Sequence, residues 1–405
     1  MRLVLLLLAP VLLLCGDWPQ FRGPGGEGHS GEQGLPLKWS GTENVVWKVA
    51  LPGRGWSSPS IQGTEIWLTT ATREGHSLRA IAIHRESGKL LRDVEVFQVA
   101  DPVPINGKNS HASPTPIVDG DRIYLHYGSS GTACIKTSGE TVWKTRLDYR
   151  HQHGSGGSPV LYNDLLIVNC DGTDTQYVAA LDKNTGKVRW KTRRDGYQAY
   201  STPLIVHVDG KDQLVSVGAK RAVSYDPRTG KEIWSISYGD GFSNVPRPVY
   251  GHGLVYICSG FHQPYLFAVR PTGTGDVTDT EVAWVLKRSV PLTPSPLLVG
   301  EELYTVTDNG IASCLDAKTG NIHWQERLGG SHSASPTFAD GRIYFLSEEG
   351  DSTVIAPGRK FEKLAVNRLG EATLASMAIS GGAIFIRGER HLYRIQEIRD
   401  KTARK

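Results

Sequence analysis

The apolar positions of this chain fall into a short phrase that recurs along its length. A proline, or a methionine in the last copy, leads into apolar residues, a turn and then an apolar pair. The phrase reads WSSPSIQGTEIW (56–67), SPTPIVDGDRIY (113–124), GGSPVLYNDLLIV (156–168) and YSTPLIVHVDG (200–210). It continues as VPRPVYGHGLVYI (245–257), TPSPLLVGEELYTV (293–306), SASPTFADGRIYFL (333–346) and LASMAISGGAIFI (374–386). The anchors are Pro59, Pro116, Pro159, Pro203, Pro248, Pro296, Pro336 and Met377. The first interval is 57 residues and the others are 40 to 48. Short apolar runs around a turn predict paired strands, not helices.

A second phrase lies between the anchors, as ALDKNTGKVRWKT (180–192), SYDPRTGKEIWSI (224–236) and CLDAKTGNIHWQE (314–326), with weaker copies at 84–93 and 135–145. Asp182, Asp226 and Asp316 open tight turns in which Gly186, Gly230 and Gly320 supply positive φ. Alternating residues then lead to Trp190, Trp234 and Trp324, and in the weaker copy at 135–145 to Trp143. These are large rings suited to packing between adjacent sheets. Each period thus holds about four strands, the signature of a propeller blade. Eight anchors predict an all-β, eight-bladed propeller of four-stranded antiparallel blades over 39–395; seven blades is the runner-up. No tryptophan strand follows Met377. The missing one is GTENVVWKVAL (41–51), with Trp47, so an N-terminal strand is predicted to complete the last blade and close the ring.

Composition agrees with many strands and tight turns: 46 glycines and 22 prolines weaken helix interiors. The balance of 45 basic and 41 acidic residues leaves a formal charge of +4, which gives no footprint for nucleic acid. The densest basic run, KVRWKTRR (187–194), alternates with apolar residues and reads as the wet face of a strand. Residues 1–15 read as an export signal, with Arg2 ahead of an apolar core too short to span a bilayer. The exported protein is expected to be periplasmic, envelope-associated or extracellular. Membrane attachment would come only through a lipid on Cys15. Residues 16–38 form an N-terminal extension and 396–405 a charged tail. Cys134, Cys170, Cys258 and Cys314 are too sparse for a disulfide framework or a zinc site and read as buried apolar residues.

The A-L-D-x-x-T-G-x-x-x-W phrase at 180–190, with its copies, resembles the tryptophan-docking motif of the quinoprotein-type eight-bladed propellers. That superfamily holds PQQ-dependent alcohol dehydrogenases and the non-enzymatic BamB-type outer-membrane assembly lipoproteins. The segments DWPQFRGPGGEG (17–28), NSHASPTP (109–116) and HGSGGSPVL (153–161) resemble secreted PQQ-like propellers of unassigned activity. The resemblance implies the fold. It departs from the dehydrogenases: the blades are short, adjacent cysteines are absent, and no calcium-ligand set maps onto this chain.

The loops ahead of the anchors join the outer strand of one blade to the inner strand of the next, and are expected to meet around one mouth of the channel. The ligand-binding candidates there are Arg54, Trp56, Asn109, His111, His153, Ser155, Tyr200, Asn244, Arg247 and His332. Gly154, Gly156 and Gly157 are expected to let the backbone crowd near the axis. The simplest reading is a solvated polar mouth. A three-histidine metal site from His111, His153 and His332 is not expected, because blade 7 is remote from blades 2 and 3. The expected role is a monomeric binding or scaffold module at the cell envelope, taking a protein, small-molecule or carbohydrate ligand. No cofactor is expected. The alternatives are a PQQ- and Ca²⁺-dependent oxidoreductase acting on an alcohol or sugar, and a carbohydrate- or polymer-binding module.

Overall fold

A computed structural model describes residues 16–262 and 264–398. The segment read as an export signal, Cys15, and the last seven residues of the tail lie outside them. The described residues form eight antiparallel sheets in chain order around a central channel. Their innermost strands are Ser60–Gln62, Ile117–Asp119, Val160–Tyr162, Leu204–Val208, Val249–Gly251, Leu297–Val299, Thr337–Ala339 and Ala378–Ser380. All eight predicted anchors immediately precede these strands or lie one residue before them. Val45–Ala50 pairs antiparallel with His391–Ile395, as the ring-closing prediction requires. The last blade is therefore built from both ends of the described chain, and no blade is left with an open flank in the ring.

Tryptophans couple successive blades. The Trp143 Nε1–H donates to Lys183 O (2.9 Å), and Trp190 Nε1–H donates to Pro227 O (3.0 Å), each in the next blade. Trp47 donates in the same way to Arg85 O, and Trp324 to Gly358 O. The turn glycine lies flat under the ring. A Cβ on Gly186 would sit 2.5 Å from Trp143, and one on Gly230 would sit 2.4 Å from Trp190. Trp284 makes the same contact with Ala317 O and Gly320, although it stands outside the repeat's Asp-to-Trp spacing. An insertion containing Gly275–Asp276 and the short helix Thr278–Glu281 breaks the Asp-to-Trp spacing of its blade. That insertion also explains Trp234. Gly275–Asp276 pairs in parallel with the outer strand of blade 4, adding a fifth strand. Trp234, fully buried, donates its indole N–H to Gln213 within its own blade, while its ring packs in a core cluster shared with blade 5.

One local reading changes. The strand Val188–Arg193 does alternate between exposed and half-buried positions, but Arg194 turns inward. It forms a fully buried pair with Asp171, and its Nη1–H donates to Ser216 Oγ (2.8 Å). The Asp171-Gly172 step therefore ends a strand in an ion pair. Asp209-Gly210 and Asp340-Gly341 form hairpin turns, with both residues at positive φ. The four internal cysteines are free and buried.

The extension at 16–38 is the largest feature that sequence reasoning left without a role. It crosses the channel at the face bearing the inner-hairpin turns. Asp17 accepts from Gly63 N–H, Trp18 pairs with Ile61, and Val118 N–H donates to Pro19 O. Farther along, Glu27 accepts from Tyr250 N–H and Ser30 N–H donates to Phe338 O. Glu32 then accepts from the backbone of Gly381 and Gly382, and Trp39 N–H donates to Asn367 in blade 7. Trp18, Leu35 and Trp39 join one core cluster with blades 1, 7 and 8. The chain thus spans the ring before entering its closing strand.

Candidate binding cup at the channel mouth

The residue before each anchor is a hydroxyl-bearing one in seven blades and arginine in blade 5. Proline at the next position holds that residue extended, so its amide points sideways along the ring. Ser58 N–H donates to Thr115 Oγ1 (3.0 Å), Thr115 N–H to Ser158 Oγ (2.9 Å), and Ser158 N–H to Thr202 Oγ1 (2.9 Å). On the far side Arg247 N–H donates to Ser295 Oγ (2.9 Å), Ser295 N–H to Ser335 Oγ (3.0 Å), and Ser335 N–H to Ser376 Oγ (2.9 Å). The eight inner strands are therefore laced by side-chain hydroxyls in two arcs, blades 1 to 4 and blades 5 to 8. The signal for this girdle was present as Ser/Thr-Pro at the anchors.

Above the girdle lies a cavity of about 600 Å³, lined from all eight blades. Phe21 of the extension also lines it, so the strap across the opposite face turns the channel into a closed-ended cup. Trp56, Tyr200, Phe242 and Phe261 supply aromatic wall, and the hydroxyls of the girdle supply polar wall. Phe242 stacks edge-on with Phe261 (5.7 Å) and lies 5.2 Å from His262, forming an aromatic rim. Phe261 and Tyr197, which also touches Phe242, are each about half exposed.

Four of the ten sequence candidates line the cup: Trp56, Asn109, His153 and Tyr200. His153 has φ +72, a left-handed conformation disfavoured for a residue with a Cβ. Its carbonyl is held by Asn109 Nδ2–H (2.7 Å) and Asn106 N–H (3.1 Å), which pin the strained turn. The glycines beside it do crowd. A Cβ on Gly156 would meet Tyr200 at 2.9 Å, and one on Gly157 would meet Ser201 O at 2.8 Å. Arg54 lies on the rim, where its Nη2–H donates to Gly107 O (2.9 Å). The loop at 99–114 extends over the mouth, and its Lys108 reaches Glu348 of blade 7 at 3.0 Å.

The other five candidates face elsewhere. The His111 ring bonds to Val103 O within its own loop. Ser155 lies behind the wall in a cavity of about 20 Å³, with His126, Tyr149 and His151. Burial holds His126 at about 3, and burial with the charge of His111 holds His151 at about 4, so both rings are neutral. Asn244 is fully buried and donates to Tyr238 Oη. Arg247, also buried, holds the strap through Nη1–H to Phe21 O (3.0 Å). His332 is buried and its backbone N–H donates to Asp308 O. Loop position alone did not separate wall from interior, because side-chain direction depends on packing between blades. Among the described residues no group of three His, Cys, Asp or Glu side chains is placed to hold a metal.

A quinone with its calcium would have to be held by this lining. Ca²⁺ takes about six to eight oxygen ligands, carboxylates prominent among them. Asp308 is the one carboxylate among the described lining residues, and it already accepts from Leu292 N–H (2.7 Å) and Thr293 N–H (3.3 Å). The donor set does not fit that pair of groups.

The family model described as outer membrane protein assembly factor BamB matches residues 79–284 and 275–363. A tetrathionate hydrolase of Acidithiobacillus ferrooxidans is 24% identical over 66% of this chain and 48% of its own length. A BamB of Legionella pneumophila is 24% identical over 47% of this chain and 48% of its own. One of Alkalilimnicola ehrlichii is 28% identical over 39% and 40%. The chain thus spans about half the length of the curated relatives it matches. Among solved structures, BamB of Moraxella catarrhalis superposes with TM-score 0.62 at 12% identity, covering 86% of this chain and 99% of that one. The computationally designed Ika8 protein gives 0.57 at 11% identity, covering 85% and 98%. Both likenesses concern the fold.

Proposed function

Because the chain belongs to the family described as outer membrane protein assembly factor BamB, we propose that it is a binding module of the cell envelope that docks a protein partner on its mouth face. The observation that carries this reading is the closed-ended cup of about 600 Å³ with an exposed aromatic rim. Aromatic side chains beside a polar wall give large contact area at low entropy cost, the usual composition of a binding hot spot. The assembly-factor names of several relatives and the export-like first residues agree with a place in the envelope. A carbohydrate is the second reading, favoured by the edge-on rings of Phe242 and Phe261 beside the hydroxyl girdle.

A photoactivatable amino acid at Phe261 tests the proposal in native envelopes. The expected result is a discrete adduct with one envelope protein, reduced at least about tenfold by Trp56→Ala with Tyr200→Ala. The same probe at Ile322, exposed on an outer strand, is expected to give none. Equal labelling from both positions would remove the mouth face as the docking surface. Quenching of tryptophan fluorescence by soluble oligosaccharides, without a protein adduct, would favour the second reading.

A further inference from the structure

Outward from the cup, between the ends of the outer strands of blades 2 and 3, lies a separate groove of about 570 Å³. Its cations are Arg146 and Arg150, which follow the strand Thr141–Thr145, and Lys191 and Arg193 on Val188–Arg193. All four are exposed. Nearby cations are paired: Lys183 with Asp119, Arg189 with Asp182, and Arg194 with Asp171. Among the described residues these four have no ion-pair partner. Lys191 Nζ is held 3.6 Å over the Tyr177 ring, which fixes its charge at the groove wall. The groove also contains Asp148 and Asp174, and Asp174 is engaged by Arg150 N–H (2.8 Å). The cations remain in excess.

The groove is continuous with the cup's wall through Tyr149, His151 and Tyr200, which share the small cavity between the two. Across the mouth the charge reverses, with Asp308, Glu348 and Glu349 on the blade 6 and 7 loops. A face of two signs does not suit lying flat on an anionic lipid surface, which rewards a broad basic patch. A concave, local excess of positive charge suits an acidic strand of chain.

We propose that this groove recognises an acidic peptide segment, so that the partner docked at the cup continues outward over blades 2 and 3. This rests on the docking reading of the mouth face. The test uses the whole protein and a fluorescein-labelled hexa-aspartate peptide, read by anisotropy. Binding is expected to weaken about fivefold between about 50 and 200 mM salt, and at least about tenfold in Lys191→Glu with Arg193→Glu. Lys211→Glu with Lys231→Glu makes the same charge change on the opposite face and is expected to leave binding within about twofold. Matching thermal melts establish that both variants fold.

Equal weakening by the two double variants would overturn the proposal. So would displacement of the peptide by 10 mM inorganic phosphate, or binding only to vesicles of three parts phosphatidylcholine to one part phosphatidylglycerol. The Phe261 adduct is scored separately. Its loss with peptide binding intact would sink the cup as the docking site and leave the groove standing.

Discussion

At the scale of single residues, burial decides what each polar group does. His126 and His151 are kept neutral in a cavity that the solvent does not reach freely. Burial lowers both below the ordinary 6.5, to about 3 and about 4. The unfolded chain therefore binds protons that the folded one refuses, and stability falls as pH drops below about 6.5. The loss should continue to about 4 for His151 and about 3 for His126. Thermal melts from pH 7.5 to 4 should show this slope, and His126→Gln should flatten it; an unchanged slope would mean that other groups carry it. The girdle makes a second residue-scale prediction. Ser158→Ala leaves the buried Thr115 N–H without its acceptor and should cost about 1–3 kcal/mol in urea unfolding. Ser138→Ala, in an outer-strand turn, is expected to cost under about 0.5 kcal/mol.

At the scale of elements, each blade is joined to the next by a ring lying on a turn. Gly186 and Gly210 have nearly the same positive φ, +70 and +75. Nothing lies within 4 Å of a Cβ on Gly210, whereas one on Gly186 would overlap Trp143. Gly210→Ala should therefore cost about 1 kcal/mol of backbone strain, and Gly186→Ala clearly more, with loss of the Trp143 contact visible in fluorescence. Equal costs would show that the ring does not depend on the flat turn. The sequence exposed this device well where Asp-x-x-Thr-Gly and Trp stand at fixed distance. It hid the Trp284 contact, where an insertion separates the parts, and it could not show that the same insertion would cover Trp234.

For the whole molecule, the strap and the closing strand matter most. Both come from the first fifty residues, and both tie together blades distant in sequence. Removing residues 16–38 should lower the melting temperature and take Phe21 out of the cup wall. Hydrogen exchange should then rise in the inner strands of blades 1, 2, 5 and 7, which the extension touches. Unchanged exchange there would mean that the ring is rigid without its strap. The mouth candidates read from the loops divide between the cup and the interior for a reason that also belongs to this scale. The ring does bring those loops together, but the side chains of Asn244 and His332 turn into the packing of the blades and Arg247 turns to the strap.

The sequence by itself determined the number of blades, the position of every inner strand and the route of closure. Those follow from local periodicity, turn chemistry and the spacing of repeats, which act over a few residues and recur eight times. Tertiary structure alone decided which hydroxyls lace the ring, that an extension of irregular sequence closes the channel, and which loop residues face the cup. These outcomes depend on contacts between residues as far apart as Phe21 and Arg247, or Lys108 and Glu348. Such contacts leave no periodic trace in the chain, because each occurs once and is set by where the closed ring places its partners.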